Sequence, residues 1–345
     1  MTKSFLVVLS LFACIANAQI TFRLPTRNDA IFRNAPQNFY MYVDRNFEGV
    51  RSTPWEGGSY GFTRTPIRTA NGFVCIKFHE GIDIKPLQRD DNGTPLDDIR
   101  PVAGGKVVHV ADNPGDSSYG RYIVIEHKTK EGPLYSLYAH LAKISCHTGD
   151  FVGTGNVIGK LGFTGVGINK KRSHLHLEIG LLLNQNFQQW YDSRKITSPN
   201  KHGIYNGLNI CGINPSDALL HCKEGKAFSI KEYLASLNPQ YTVRIPSGMG
   251  KPELATRYPF LIAKGTLTES PTSWEIAFSE SGIPLSISPS SAPCASPVVI
   301  QALPHPFSQL YRTVNRISGS SKTPILTPSG ASYMRLIMEE PSPRS

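Results

Sequence analysis

His174-Leu175-His176-Leu177-Glu178 is the stretch whose reading decides the fold. Polar and apolar residues alternate through it, so it reads as a β-strand of period two. His174, His176 and Glu178 share one face, and Leu175, Leu177 and Ile179 share the other. Two imidazoles on one face stand about 7 Å apart at the backbone, near enough to converge on one small site.

Two further stretches repeat this logic. In His79-Glu80-Gly81-Ile82-Asp83 a histidine and a carboxylate bracket a glycine, which is expected to let the chain turn so that both face one point. With His176 they supply two neutral nitrogens and one carboxylate oxygen. That is the ligand set of a catalytic zinc with its fourth position left for water. Calcium and magnesium favour all-oxygen sites, so the donor types select zinc, one ion per chain. In Tyr138-Ala139-His140-Leu141, His140 ends an aromatic strand, and beside a metal it is a candidate acid or base.

Around these stretches the chain is rich in strands. Lys106–Val110, Tyr122–Glu126 and Tyr135–Leu141 are β-branched or alternating runs bounded by Gly, Asp and Asn, and they read as antiparallel strands. Seven glycines between Gly149 and Gly167 mark a turn-rich strand region. Two helix starts follow: Asn214-Pro215-Ser216-Asp217, with a cap before Pro, and the capping box Ser229-Ile230-Lys231-Glu232.

The organisation expected is a signal peptide over 1–18, an irregular leader over 19–71 and a catalytic domain with a helical extension over 72–240. A Pro/Gly-rich linker at 241–252 and a small β domain at 253–345 complete it. The leader contains a short strand at Phe39–Val43. The C-terminal strands are Phe260–Ala263, Trp274–Phe278, Val298–Ile300 and Tyr333–Ile337. The fold class is mainly β with short helices.

Lys3, the apolar Phe5–Ile15 and Ala16-Asn17-Ala18 make an n-region, a core too short to span a bilayer and a cleavage site. This implies export to the periplasm or the extracellular space. Leu11-Phe12-Ala13-Cys14 loosely resembles a lipobox, with bulky Phe12 against it, so lipid anchoring at Cys14 is the minor alternative. No later segment is apolar enough for stable membrane insertion.

The chain is basic, with 36 Lys+Arg against 26 Asp+Glu and a formal net charge of +10. Such a protein is drawn to polyanionic surfaces, and no nucleic-acid motif accompanies the charge. Cys75, Cys146, Cys211, Cys222 and Cys294 lie beyond the signal peptide, an odd number. The first pairing expected is Cys211 with Cys222, which are close in sequence.

Residues 72 to 180 resemble the lysostaphin/LytM-type zinc metalloendopeptidases of bacterial cell walls. The resemblance rests on His79–Asp83, Pro101–Val108, Tyr119–His127, Leu137–Leu141, the Gly149–Gly159 stretch and His174–Glu178. It implies that His79, Asp83 and His176 hold the zinc and that His140 and His174 are the metal-free catalytic histidines. Either of those two fits as base; His174, two residues from a ligand, is favoured. It also implies hydrolysis of peptide bonds in peptidoglycan stems or cross-links. The alternative is a catalytically silent wall-binding or regulatory module of the same fold. Some members carry a tyrosine six to nine residues before the first zinc histidine. Ala70–Phe73 holds none here, which leaves Tyr60 as a distant substitute. Glu178 fits either an orienting acceptor for a ligand histidine or a strand-end ion pair.

Overall fold

A computed structural model describes residues 19–194, 196–263 and 271–338. The signal peptide and Cys14 lie outside the described residues.

A seven-stranded antiparallel sheet carries the site. Its path runs Phe151–Val152, Gly105–Ala111, Tyr122–His127, Leu134–Ala139, Leu175–Leu182 and Ile210–Ile213, and Ile82–Ile84 pairs with the beginning of Leu175–Leu182. The period-two alternation of Leu175–Leu182 divides its residues between two packing layers. Leu175, Leu177, Ile179 and Leu181 enter the main core, whereas Leu182 joins a smaller core with Tyr122, Val124, Leu137 and Ala139. The polar side of the strand, His176 and Glu178, therefore lies on the small-core face, where the apolar layer gives way to the site.

Registers deliver the site residues. His176 pairs with Asp83 on one side and Ala139 on the other, so the residue before His140 is its strand neighbour. His174 forms a bridge with Gly162. The hairpin Gly61–Thr69/Gly72–His79 ends on His79.

A buried polar chain anchors the Val102–Gly105 turn. His127 donates from Nδ1 to the Gly104 carbonyl at 2.9 Å, and its Nε2 lies 2.7 Å from Ser136 Oγ. Ser136 Oγ is 2.9 Å from Tyr138 Oη, which accepts from the Val102 N–H at 2.8 Å. Only one proton order satisfies every member: Tyr138 donates to Ser136, and Ser136 donates to His127.

Several elements depart from the sequence reading. Phe39–Val43 is not a strand: Pro36 starts a short helix, Pro36–Phe39, and Met41 N–H then donates to the Asp83 carbonyl at 2.7 Å. The leader is only partly irregular, because Gly61–Thr69 is a full strand. Within the expected linker, Tyr241–Pro246 is an inner strand of a four-stranded sheet ordered Pro284–Ser290, Ser273–Phe278, Tyr241–Pro246 and Val298–Ala302. Its alternating burial, with Tyr241, Val243 and Ile245 inside, outweighs the flanking Pro and Gly.

Phe260–Ala263 contributes to a 3-10 turn, Pro259–Leu261. Tyr333–Ile337 ends a helix, Pro328–Ile337, capped by Thr327 Oγ1 accepting from Gly330 N–H. The two helix starts read from Asn214 and Ser229 are present, as Pro215–His221 and Ile230–Ser236. All five described cysteines are free. Cys211 is held in a strand opposite Leu181 with its sulfur 3.7 Å from Tyr333 Oη, whereas Cys222 caps the helix Pro215–His221, so the expected pair does not form.

Candidate metal centre and active-site groove

His79, Asp83 and His176 are buried and offer one ligand atom each within 4.8 Å of one another. The atoms form a nearly equilateral triangle. His79 Nε2 lies 3.2 Å from His176 Nδ1 and 3.2 Å from Asp83 Oδ1, and His176 Nδ1 lies 3.0 Å from that same oxygen.

Their tautomers are set by outer partners. His79 Nδ1–H donates to the Ser59 carbonyl at 2.9 Å, and His176 Nε2–H donates to Glu178 Oε1 at 2.9 Å. Both inward nitrogens then carry lone pairs. With both imidazoles neutral, three acceptors face one point, which is unfavourable unless a cation, either a proton or a metal ion, sits there. A tetrahedral zinc with bonds of about 2.0–2.1 Å holds its ligand atoms roughly 3.3 Å apart, close to the triangle seen. The residues present therefore fit a zinc ion.

The electrostatics agree. Burial disfavours a charge on His176, but Asp83 and Glu178 outweigh it and raise its pKa to about 10. Burial also works against Asp83 ionising, yet His174, His79 and His176 hold it well below the usual carboxylate range. The pair thus keeps a positive charge beside a carboxylate, the role a metal would take over.

Gly81 fits this centre for a reason other than the one expected from sequence. Its φ is not positive; a Cβ there would collide with the Leu177 carbonyl oxygen and stand 3.0 Å from His176 Cε1. Glycine is required by close approach, not by a turn.

His140 and His174 stand beside the triangle, their ring centroids 4.9 Å apart. His174 Nδ1 is tied to the Arg172 carbonyl at 2.6 Å, and His140 Nδ1 to the Thr164 carbonyl at 2.9 Å. Each Nε2 is therefore a free lone pair, and His174 Nε2 lies 3.4 Å from Asp83 Oδ1. Burial depresses both, His174 to about 4 and His140 well below its ordinary value, so both are neutral bases at pH 7. His140 has φ 64°, the left-handed region, which lets the chain leave its strand while the imidazole stays in the site.

Glu178 is buried with Oε1 shared between His176 and Tyr119, whose hydroxyl donates at 2.6 Å. Of its two sequence readings, the orienting acceptor is the one seen. Arg64 was not singled out from the sequence. Its Nη2 meets the outer oxygen Oδ2 of Asp83 at 2.5 Å, and its Nε donates to the Gly57 carbonyl at 2.8 Å. Tyr60 donates to the Gly212 carbonyl at 2.7 Å and packs on Phe78, so it is engaged outside the site. His202 lines the groove, with Nδ1 3.3 Å from His109 Nε2.

The site opens into a groove of about 530 Å³, bordered by Arg64, Tyr119, Val166, Arg172 and Leu208. A chain segment can lie along it and present a backbone carbonyl to the triangle and the two neutral imidazoles.

Residues 77–188 match the model of peptidase family M23. Solved structures similar to the chain include a zinc-containing peptidase from Vibrio cholerae, 27% identical, covering 41% of this chain and 36% of that one, with a TM-score of 0.26. A putative glycyl-glycine endopeptidase lytM from Ruminococcus gnavus is 22% identical over 43% of this chain and 49% of that one, at a TM-score of 0.29. The catalytic domain of the antimicrobial peptidase lysostaphin from Staphylococcus simulans is 20% identical over 48% and 95%, also at 0.29. The chain spans about a third to a half of the length of the first solved structures it matches. No curated protein matches it.

Proposed function

We propose, from the match of residues 77–188 to the model of peptidase family M23, that the protein is an exported zinc-dependent endopeptidase acting on peptidoglycan stems or cross-links. The observation that carries this reading is the triangle of His79, Asp83 and His176 with two neutral imidazoles beside it, each with an unprotonated Nε2. A bound zinc supplies Lewis acidity, which polarises a scissile carbonyl and makes water nucleophilic near neutral pH.

The chain's own residues do the rest. His174 Nε2 accepts a proton from the attacking water as the new C–O bond forms; handed on to His140 Nε2, that same proton hydrogen-bonds the developing oxyanion and then leaves on the departing amine. The C–N bond breaks, and the two products are a carboxylate and an amine. Arg64, Glu178 and Tyr119 hold the ligands in place. A net charge of +10 suits approach to an anionic wall.

The test is release of fragments from defined muropeptides, followed by mass spectrometry, with and without a chelator. Hydrolysis abolished by the chelator and restored by zinc is expected. His176→Ala should lose the metal, whereas His174→Ala should retain it and lose about 10²–10⁴-fold in turnover. Hydrolysis unaffected by complete metal removal would refute the reading. A protein that holds zinc but cuts no wall peptide would instead be a silent wall-binding module.

A further inference from the structure

A second cavity, of about 230 Å³, continues from the groove. Phe78, Glu80, Gly207 and Leu208 line both, and Phe78 and Glu80 flank the metal-centre residue His79. The far wall comes from the C-terminal part of the chain, chiefly Arg316, Ser332 and Tyr333.

Two polar groups on that wall are left without partners. Arg316 lies over the Tyr333 ring, 3.2 Å from its centroid, and its buried Nε has no hydrogen-bond partner among the described residues. Ser332 is 9% exposed, and its Oγ is likewise unpartnered. No carboxylate of the described residues pairs with Arg316. Its position is nonetheless built in. Gly282 has φ +91°, and a Cβ there would stand 2.5 Å from Arg316 Nε, so the backbone beneath the guanidinium is cleared for it. Arg194, stacked on Trp190, adds a second cation to the lining. Glu80 is the one acidic residue of the lining, and it is exposed.

Arg316, half-buried with its Nε unpartnered, and the buried, unpartnered Ser332 hydroxyl line one cavity, and a guanidinium offers a carboxylate a planar, forked set of donors. We infer that this cavity is a subsite for a carboxylate carried by the peptide substrate, placed by the C-terminal segment beside the catalytic groove. The inference rests on the peptidase reading for the identity of the ligand as a peptide. Continuity of the two cavities is what assigns the carboxylate to the substrate and not to a free anion.

The test is calorimetric titration of the full chain, kept in chelator so that nothing is cleaved. The probes are two Gly/Ala hexapeptides, one ending in a free carboxylate and one in an amide, with acetate as the free-anion arm. The carboxylate peptide should bind at least about 10-fold tighter than the amide, the margin expected of a charge-assisted hydrogen bond. Arg316→Gln should erase that preference and leave the affinity for the amide peptide unchanged. Ser332→Ala, a smaller change, should reduce it and covers the case in which Arg316→Gln fails to fold. Equal affinity of the native protein for both peptides, or a preference that survives in Arg316→Gln, overturns the inference. So does acetate binding as tightly as the carboxylate peptide. Because no hydrolysis is read, failure of the peptidase assay and failure of this preference are separate results.

Discussion

Around the metal centre, each imidazole has its tautomer fixed by one partner. Glu178 holds the His176 tautomer from a buried position where it costs free energy unless both neighbours are satisfied. Glu178→Ala is therefore expected to weaken zinc binding by about 10–100-fold, measured by competition with a chromogenic chelator. Tyr119→Phe removes only the second donor to Glu178 and should fall at the mild end of that range. Gly81→Ala tests close approach: the added methyl must displace the strand that carries His176 or the one that carries Asp83. Zinc affinity should drop while a β-rich circular dichroism spectrum remains. Unchanged affinity would show that the two strands can separate without disturbing the triangle.

The elements show what was legible in the sequence and what was not. His174–Glu178 and His79–Asp83 could be read because their chemistry is short-range, a strand alternation and a spacing of four. The roles of Arg64 and Tyr119 could not, because their partners are 19 and 59 residues away, and although Tyr119 opens the Tyr119–His127 stretch nothing there marks its hydroxyl as a donor to Glu178. The helix Pro328–Ile337 was misread as a strand from its apolar run Tyr333–Ile337. Thr327-Pro328 carries the same cap-then-Pro signature that correctly located the helix after Asn214. The polar chain through His127 makes a prediction about acid stability. Burial lowers the His127 pKa to about 4, so the native state keeps it neutral while the unfolded chain protonates near 6.5. As pH falls from about 6.5 to about 4, the unfolded state binds the extra proton and stability declines, roughly 1.4 kcal/mol per pH unit from this group. Urea denaturation at pH 7 and pH 5 should show the loss, and His127→Gln should reduce the difference between the two pH values. The same difference in both proteins would remove His127 as the cause.

At the scale of the whole molecule, the C-terminal part is bonded to the sheet that carries the site. Tyr258 Oη accepts from Leu182 N–H at 3.1 Å and donates to the Pro133 carbonyl at 2.9 Å. Asn184 donates to the Leu336 carbonyl at 2.6 Å, and Trp190 Nε1 donates to the Ser332 carbonyl at 2.8 Å. One apolar cluster contains residues from Leu175 and Ile179 through Tyr258 and Ile276 to Met338. The described residues should unfold in one cooperative calorimetric transition, and two resolved transitions would contradict that. Tyr258→Phe, which leaves the Leu182 N–H and the Pro133 carbonyl unpaired, is expected to cost about 1–3 kcal/mol without altering zinc content. The ion pair between Arg64 and Asp83 carries a practical lesson for anyone trimming this protein to its smallest working form. Cutting at the family border, residue 77, would discard Arg64 together with the Met41 amide that grips the Asp83 backbone. The excised piece would keep every metal ligand and yet lose what steadies two of them, Arg64 at Asp83 and the Ser59 carbonyl at His79, so a functional minimum has to begin upstream of residue 41.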